Sequence, residues 1–388
     1  MISISRLLCD EIGPGDELRY GHNGRLSPAL EARPIVVWNC TRRCNLNCIH
    51  CYADAASATN DGEMDNEEGK ALIRQLAEFK VPVLLFSGGE PLVRKDFLEL
   101  ARYATDKGLG VVVSTNGTLI TPEIAREMKG IGFREVGISV DGIGDQNDKF
   151  RGKPGAYEAA LQGIRNCIAE GQRVSLRMTI TRSNKNEVPS ILDLVEREGI
   201  DRVCFYHLAY AGRGNDLRNI DLSHEETREV VDLICDRTID FHQKGMNKEI
   251  LMVANHTDGV YLYLKEKERN QARATAIMEL LKINGGNNSG IRIGAVDELG
   301  NVHPDQFWRS LSLGNVRKRS FGDIWLDISN PVMAGLKGRK GLLKGKCAVC
   351  RYLDVCNGNL RARAEAVFDD MWAEDPACYL TDEEIGIK

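Results

Sequence analysis

The feature that most constrains this chain is a group of three cysteines in one short stretch. Cys44, Cys48 and Cys51 have the spacing C-x3-C-x2-C and directly follow a β-rich run at residues 34–39. Disulfides are rare in reducing compartments, where clustered cysteines usually bind metal. A 4Fe-4S cluster takes four ligands, so three thiolates leave one iron open. The spacing therefore predicts an iron–sulfur cluster with one reactive coordination site.

A zinc site is the alternative interpretation of the same cysteines. Zinc would require a fourth ligand, for which His50 or Cys40 could be proposed. The position of the motif, directly after the first strand of a βα series, favours the cluster. We expect Cys40 to be the last residue of that strand and to point into the sheet.

A second group of cysteines lies near the C-terminus and comprises Cys347, Cys350, Cys356 and Cys378. Four thiolates can complete the coordination of one cubane, which would make this cluster structural or electron-transferring. A zinc ribbon is the alternative, although the last two cysteines are far apart in sequence. The other four cysteines are scattered, and we expect them to be small buried hydrophobes.

The chain from residue 34 onward alternates β-rich runs with amphipathic stretches, which predicts a parallel sheet with helices outside it. The six predicted strands are residues 34–39, 83–86, 110–115, 135–140, 174–181 and 202–207. Six units favour an α/β fold with a partial (β/α)6 barrel, in which catalytic groups lie at the C-terminal ends of strands.

Three domains follow from this organisation. Residues 1–33 are expected to be an irregular N-terminal extension, and residues 34–220 form the barrel core. Residues 221–388 are expected to contain a helical connection and a small α+β domain that holds the second cysteine group. Within that domain, a turn at residues 297–300 predicts a β-hairpin.

Short polar motifs follow the predicted strands in chain order. Gly88-Gly89-Glu90-Pro91 follows the second strand, Ser114-Thr115-Asn116-Gly117 ends the third, and Ser139-Val140-Asp141-Gly142 ends the fourth. Arg177 lies inside the fifth strand. Each motif alone is an ordinary turn or strand end, and Arg177 could equally be a salt-bridged or surface arginine. Their succession behind the three cysteines indicates a shared site.

These motifs resemble the radical S-adenosylmethionine (SAM) superfamily over roughly residues 34–210. The resemblance implies that the open iron binds SAM and that reductive cleavage of SAM yields methionine and a 5′-deoxyadenosyl radical. It also implies the following SAM contacts: Gly88, Gly89 and Glu90 at the methionine moiety, with Glu90 accepting from its ammonium; Ser114, Asn116, Ser139 and Asp141 at the ribose; Arg177 at the carboxylate; and the His50 backbone at adenine.

The C-terminal cysteines resemble the auxiliary-cluster extensions of SPASM and twitch type, with enough cysteines for one additional 4Fe-4S cluster. Longer phrases, at residues 36–44, 210–215, 303–308 and 372–379, resemble the haem-pathway group of radical SAM enzymes. Residues 1–9 and 18–20 favour the branch that removes two acetate side chains from didecarboxysirohaem to give Fe-coproporphyrin III.

Three alternatives stay open at this point. A related branch removes propionate side chains from the same precursor in nitrite-reductase haem cofactor synthesis. A radical SAM peptide maturase is another possibility, although residues 1–33 are too short for a peptide-recognition domain. A non-catalytic haem or cluster carrier would need neither an open iron nor the motifs at the strand ends.

An iron tetrapyrrole carries several carboxylates, so its site would need arginines and a histidine ligand for the iron. The candidates at or beyond the strand ends are His207, Tyr210, Arg213, His256, His303 and Arg309. A hydrogen-bonded structural role is the commoner one for a lone histidine.

The net charge of -5 and the pI of about 5.9 argue against a general nucleic-acid binder, which would carry a basic stripe. The start of the chain lacks the pattern of a signal peptide, and no apolar run approaches the ~18 residues of a membrane span. We therefore expect an oxygen-sensitive cytoplasmic enzyme that receives electrons from a reductant such as ferredoxin or flavodoxin.

Overall fold

A computed structural model describes residues 1–21, 28–57 and 61–387 of the chain. Within these residues eleven strands form one sheet in the order β1-β8-β7-β6-β5-β4-β3-β2-β9-β10-β11. The strands are β1 Ile2–Ser3, β2 Ile35–Asn39, β3 Val83–Ser87, β4 Gly110–Thr115, β5 Glu135–Ser139, β6 Val174–Ile180, β7 Arg202–His207, β8 Glu249–Val253, β9 Ile293–Val296, β10 Asn301–His303 and β11 Gly314–Asn315.

Strands β2 to β7 are parallel neighbours in chain order, and the sheet does not close on itself. The predicted partial barrel is therefore confirmed. Strand β8 extends it as a seventh parallel strand that was not predicted. At the other edge, β9 pairs parallel with β2, while β9 and β10 form the predicted hairpin. The sheet thus continues from the core into the C-terminal part.

Helices connect the strands and cover the outer face of the sheet. Their ends carry the expected signals, such as the capping boxes of Asp65 with Glu68 and of Ser223 with Glu226. The α-helices are α1 Ile4–Cys9, α2 Asp16–Tyr20, α3 Asn66–Glu78, α4 Phe97–Asp106, α5 Pro122–Ile131, α6 Asp145–Arg151, α7 Ala156–Ala169, α8 Val188–Arg197, α9 His224–Gln243, α10 Thr257–Arg269, α11 Gln271–Asn284, α12 Phe321–Leu326, α13 Pro331–Lys337, α14 Lys346–Val349, α15 Leu353–Cys356, α16 Arg361–Phe368 and α17 Asp382–Ile385. None of the described helices has the length and apolar character needed to cross a membrane.

The hydrophobic core lies between the sheet and the outer helices. Along β6, Leu176 and Met178 are fully buried in this core, whereas Arg177 points to the opposite, inner face because side chains alternate along a strand. Burial of a side chain such as Leu176 contributes about 1.5–3 kcal/mol. Strand β7 repeats the pattern, with Val203 and Phe205 in the core. The inner face of the sheet therefore carries the Arg177 charge, with a smaller apolar cluster that includes Cys204 and Leu251 on β7 and β8.

The expectation that residues 1–33 are irregular is wrong for residues 1–20. Strand β1 pairs antiparallel with β8, and Ile2, Ile4 and Leu7 are fully buried. The Ser5 hydroxyl donates a 2.7 Å hydrogen bond to the carbonyl of Lys248. A two-residue strand and helices of five and six residues are too short to give a periodic sequence signal. Residues 22–27 of the predicted extension lie outside the described residues.

Candidate active site

The loop after β2 carries the first cysteine group and begins with a buried residue. Cys40 follows Asn39, belongs to the hydrophobic core and donates its N–H to the carbonyl of Ser87 at the end of β3. Cys40 is therefore turned into the protein, away from the other loop cysteines. The side chains of Cys44 and Cys51 pack with Cys48, which is buried.

Each of the three sulfurs accepts a hydrogen bond from an N–H group. The contacts are Leu46 N to Cys44 Sγ (3.4 Å), Asn116 Nδ2 to Cys44 Sγ (3.9 Å), Arg151 Nη1 to Cys48 Sγ (3.6 Å) and Ala55 N to Cys51 Sγ (3.4 Å). Such donors stabilise negative charge on sulfur, which is the form that binds metal. Three grouped thiols with N–H donors fit the ligand set of an iron–sulfur cluster with one open iron.

The cluster thiols must lose their protons when they bind metal. Burial raises the pKa of the Cys44 thiol to about 12 and also raises the pKa of Cys48, although the Arg151 charge opposes the shift at Cys48. At neutral pH the metal-free thiols of Cys44 and Cys48 are therefore protonated. Iron binding must displace these protons, so assembly of a cluster here releases protons to solvent.

The C-terminal end of helix α6 supports the cysteine loop. The N–H groups of Asn47 and Ile49 donate to the carbonyls of Arg151 and Phe150 at 3.1 and 3.0 Å. At Gly152, where φ is +67°, a Cβ atom would overlap the carbonyl oxygen of Asn47. Only glycine allows this close approach without strain.

Arg151 is a site residue that the sequence analysis missed. Its guanidinium is buried between the Cys48 sulfur and the carboxylate of Asp141, whose Oδ2 lies 2.5 Å from Arg151 Nη2 as an ion pair. The other oxygen of Asp141 accepts from the Thr179 N–H at 2.8 Å. Helix α6 has seven residues and gives no periodic signal, so nothing in the sequence singled out its last residue.

His50 lies beside the same carboxylate. Its Nε2 is 3.4 Å from Asp141 Oδ2, and its ring packs 4.7 Å from the ring of Phe150. Burial lowers the pKa of His50 to about 4, although Asp141 partly opposes the shift. The imidazole is neutral at pH 7, and the predicted contact of the His50 backbone with adenine stays a prediction.

Glu90 is fully buried and links the ends of two strands. Its carboxylate accepts from the Thr115 hydroxyl (2.7 Å), the Asn116 N–H (2.7 Å) and the Leu92 N–H (3.1 Å). Burial raises the pKa of Glu90, whereas these donors lower it. Each carboxylate oxygen can accept more than one hydrogen bond, so a further donor such as an ammonium group is compatible with this arrangement.

The glycines of the same motif contact the cysteine loop itself. A Cβ atom at Gly88 would overlap the carbonyl of Thr41, and one at Gly89 would overlap the carbonyl of Arg43. Gly89 N also donates to the carbonyl of Thr41 at 2.7 Å. These two glycines therefore let the end of β3 lie against the loop, a role that the sequence analysis did not foresee.

The remaining predicted SAM contacts line the C-terminal part of the inner strands. Asn116 donates to Asn45 Oδ1 at 2.8 Å and approaches Cys44, as described above. Ser114 and Ser139 are half-buried on β4 and β5, and Ser139 is opposite Arg177 in the β5–β6 register. Asp141 forms an ion pair with Arg151 and accepts a hydrogen bond from the Thr179 N–H. The contact predicted between Asp141 and the ribose stays a prediction.

Two arginines bring unpaired donors into the barrel interior. Arg177 Nη2 is 3.7 Å from Glu135, and its buried Nε finds no hydrogen-bond partner in the described part of the chain. Arg309 pairs with Glu298 at 2.9 Å, yet its buried Nη1 likewise has no partner among these residues. Both charges lower the pKa of the buried Tyr52, which burial raises to about 12. Unpaired guanidinium donors near one hydroxyl fit an anionic ligand.

The three candidate histidines for a tetrapyrrole already have partners inside the protein. His207 Nε2 is 2.9 Å from Asp258, whose other oxygen accepts from the Tyr379 hydroxyl. His303 is buried, with Nδ1 2.8 Å from the carbonyl of Leu311 and Nε2 3.2 Å from Asp297. His256 is buried 3.4 Å from the Met1 amino group.

The other two candidates are also engaged. Tyr210 donates to Asp221 at 2.8 Å. Arg213 donates through Nε to the carbonyl of Cys48 and through Nη1 to the carbonyl of Ala55, both at 2.8 Å. Arg213 therefore braces the cysteine loop, and its predicted contact with a ring carboxylate stays a prediction.

The C-terminal cysteines Cys347, Cys350, Cys356 and Cys378 line one cavity, together with the buried Asp375. The Tyr352 N–H donates to Cys350 Sγ at 3.4 Å, as in the first group. Across the described residues, no three histidine, cysteine or carboxylate side chains are close enough to hold one metal ion.

Comparison with known proteins places these features in a family. Residues 38–195 match the model of the radical SAM superfamily. The Fe-coproporphyrin III synthase of Methanosarcina barkeri is 55% identical, with 100% of this chain and 99% of the relative covered. The pre-heme d1 synthase of Dinoroseobacter shibae is 42% identical over 91% of this chain and 88% of the relative. An AdoMet-dependent heme synthase of Methanosarcina barkeri is 33% identical over 89% and 95%.

Solved structures share the fold at low sequence identity. Streptococcus suis SuiB bound to S-adenosylmethionine superposes with a TM-score of 0.71 at 15% identity, covering 90% of this chain and 78% of SuiB. Native anSMEcpe with bound AdoMet gives a TM-score of 0.67 at 18% identity, covering 89% and 94%. The fold, the cysteine loop and the full-length relatives agree: this chain belongs to the radical SAM superfamily, in the group that contains Fe-coproporphyrin III synthase and pre-heme d1 synthase.

Proposed function

We propose that this enzyme removes two acetate side chains from didecarboxysirohaem and so produces Fe-coproporphyrin III. The observation that carries the proposal is the 55% identity to a Fe-coproporphyrin III synthase along the full length of both chains. The unpaired donors of Arg177 and Arg309 support it, because SAM and a tetrapyrrole both bring carboxylates to the barrel.

The catalytic cluster is assigned to Cys44, Cys48 and Cys51, with SAM on the open iron. When bound, this cluster supplies the electron that cleaves SAM. The chain's own part is to hold the thiolates with N–H donors, to present Glu90 toward the SAM ammonium and to offer Arg177 to a carboxylate.

A second 4Fe-4S cluster is assigned to Cys347, Cys350, Cys356 and Cys378, in a domain that we place at residues 221–388 behind a core at residues 34–220. Buried positive charge supports this assignment. Arg361 is fully buried close to Asp375, Cys347 and Cys356, and its guanidinium donates to carbonyls such as that of Met371. A cluster with four thiolates is anionic and would add to the charge that Asp375 supplies beside Arg361.

The proposed partners are an iron tetrapyrrole and a small cytoplasmic electron carrier such as ferredoxin or flavodoxin. The decisive experiment is an anaerobic incubation of the reconstituted, reduced enzyme with SAM and didecarboxysirohaem, followed by mass spectrometry of the tetrapyrrole. Loss of two acetate arms is expected. A product with altered propionate arms and intact acetates would assign the enzyme to the pre-heme d1 synthase branch instead.

Two further outcomes would reject the proposed reaction on the tetrapyrrole. Methionine and 5′-deoxyadenosine formed only with a peptide substrate would indicate a maturase. A protein that binds the tetrapyrrole but forms no 5′-deoxyadenosine would be a carrier. In either case the family assignment would stand without the proposed reaction.

A further inference from the structure

One buried cation lies directly behind the catalytic cysteine loop. Arg151 donates to the Cys48 sulfur at 3.6 Å through Nη1 and contacts Asp141 at 2.5 Å through Nη2. Its side chain is 9% exposed and that of Asp141 is fully buried. A hydrogen bond from an ionised donor to sulfur is stronger than one from a neutral amide, and low exposure reduces its screening by solvent.

We infer that Arg151 is a positioning residue that holds the Cys48 thiolate and raises the reduction potential of the catalytic cluster, and that Asp141 holds and partly neutralises Arg151. The inference rests on the assignment of Cys44, Cys48 and Cys51 as cluster ligands, and it is independent of the tetrapyrrole. It also gives Asp141 a role at the cysteine loop in place of a ribose contact.

Contacts of Arg151 with the cysteine loop and of Asp141 with strand β6 both support this role. The backbone of Arg151 accepts the Asn47 N–H while its side chain reaches Cys48, so one residue fixes both the loop backbone and a ligand. Asp141 is itself fixed by the Thr179 N–H on β6. The chain from Thr179 through Asp141 and Arg151 therefore ties the loop to the sheet.

The charge effect has a definite sign. One-electron reduction of the cluster adds negative charge, so a nearby cation stabilises the reduced state and raises the potential. Arg151→Gln should lower the potential, whereas Asp141→Asn should raise it, because the asparagine no longer offsets the Arg151 charge. A purely structural role would shift both variants in the same direction.

The test is an anaerobic EPR titration of the reconstituted holoenzyme, in which the SAM-responsive signal reports the catalytic cluster. We expect Arg151→Gln to lower the equilibrium constant for reduction of the cluster by at least about tenfold. This change corresponds to a fall in potential of about 59 mV for a one-electron couple. Arg151→Lys should restore most of the potential. Arg202→Gln serves as the matched control, because Arg202 is a buried arginine paired with Glu135 at the opposite end of the strands.

Iron content decides the case in which a variant loses its cluster. Loss of iron in Arg151→Gln but not in Arg151→Lys would support the inference, because the charge would then be what retains the thiolate. Equal loss in both would overturn it. An unchanged potential in Arg151→Gln with full iron content would also overturn it. If Cys44/Cys48/Cys51→Ala retained all its iron, the ligand assignment would fail, and with it the premise of the inference.

Discussion

The two cysteine groups are held in place by different means. The first follows a barrel strand, has three thiols and lies beside a cation, Arg151, that forms an ion pair with Asp141. The second has four thiols around one cavity, with Arg361 and Arg339 buried nearby and bonded mainly to carbonyls and an amide. Burial lowers the pKa of Arg339 to about 9, and the charge of the nearby Arg361 adds to this shift whereas Asp305 opposes it.

The difference lies in how the cations of each group are paired. At the first group Asp141 offsets part of the Arg151 charge, and the proposed ligand of the open iron is SAM, which carries a sulfonium charge besides its ammonium and carboxylate. At the second group Arg339 and Arg361 donate to neutral acceptors, while the buried carboxylates of Asp305 and Asp375 attract them electrostatically. On the proposed assignment, a four-thiolate cluster would supply further negative charge to this group.

Removal of the cysteines should have the largest effect. Cys44/Cys48/Cys51→Ala should abolish SAM cleavage and lower the iron content by about half, because one of two similar clusters is lost. Cys350/Cys356→Ala should remove the other half while the SAM-responsive EPR signal persists. Anaerobic iron and sulfide analysis measures both. Retention of all iron in the triple variant would contradict the assignment.

Two glycines offer a smaller perturbation of each group separately. A Cβ atom at Gly152 would overlap the carbonyl of Asn47, and one at Gly286 would overlap the carbonyl of Cys356. Gly152→Ala should therefore speed iron loss from the first group alone, and Gly286→Ala from the second alone. Gly171→Ala is the matched control, since Gly171 has φ +65° but open space around its Cα. Iron release to a chelator, followed over time, would show this selectivity. Equal rates in all three variants would indicate that backbone strain alone is responsible.

Glu90 should affect SAM without affecting iron. Glu90→Gln keeps the side-chain shape but removes the charge that faces the ammonium, a charge-assisted hydrogen bond of about 1.5–3 kcal/mol. SAM affinity should fall about tenfold to a hundredfold. Equilibrium binding to the reconstituted enzyme measures this, with iron content as the control. Glu90→Ala is less informative, because it leaves three buried hydrogen-bond donors without an acceptor. Unchanged affinity in Glu90→Gln would reject the SAM contact.

The smallest effect is a pH dependence of the metal-free protein. Burial raises the folded-state pKa of Cys44 to about 12 and that of Cys347 to about 11, from 9.0. The folded thiols keep their protons where the unfolded ones have lost them, so the free energy of unfolding falls as pH rises above about 9. Without Cys44, the free energy of unfolding should fall less steeply between pH about 9 and about 12. Without Cys347, the same reduction in slope should extend only from pH about 9 to about 11. Urea unfolding across this range measures the difference. Identical profiles for the two variants would contradict it.

Much of the core fold was predictable because strand and helix periods are local properties. The six predicted strands agree with β2 to β7 to within two residues, and the cysteine loop was identified from spacing alone. Strand β8 was missed, although Ile250, Leu251 and Met252 are buried, because a five-residue apolar run carries no period of its own. Strand β1 was missed for the same reason.

The site was less predictable, because its side chains meet through tertiary contacts. Glu90 and Asn116 were identified by motif, but their hydrogen bond to each other depends on the β3–β4 pairing. Arg151 and Tyr52 belong to no motif, and only the fold brings them to Asp141 and Ser87. The partners of His207 and His303 were equally invisible in sequence, which is why they were proposed as substrate contacts.

The most direct test of the account is the ratio of 5′-deoxyadenosine formed to acetate side chains lost when the reduced enzyme is given SAM and didecarboxysirohaem. The account predicts about one 5′-deoxyadenosine per arm removed, since each event uses one hydrogen-abstracting radical, and it predicts no product in Cys44/Cys48/Cys51→Ala. A rate of 5′-deoxyadenosine formation that didecarboxysirohaem leaves unchanged, with the tetrapyrrole recovered intact, would contradict it.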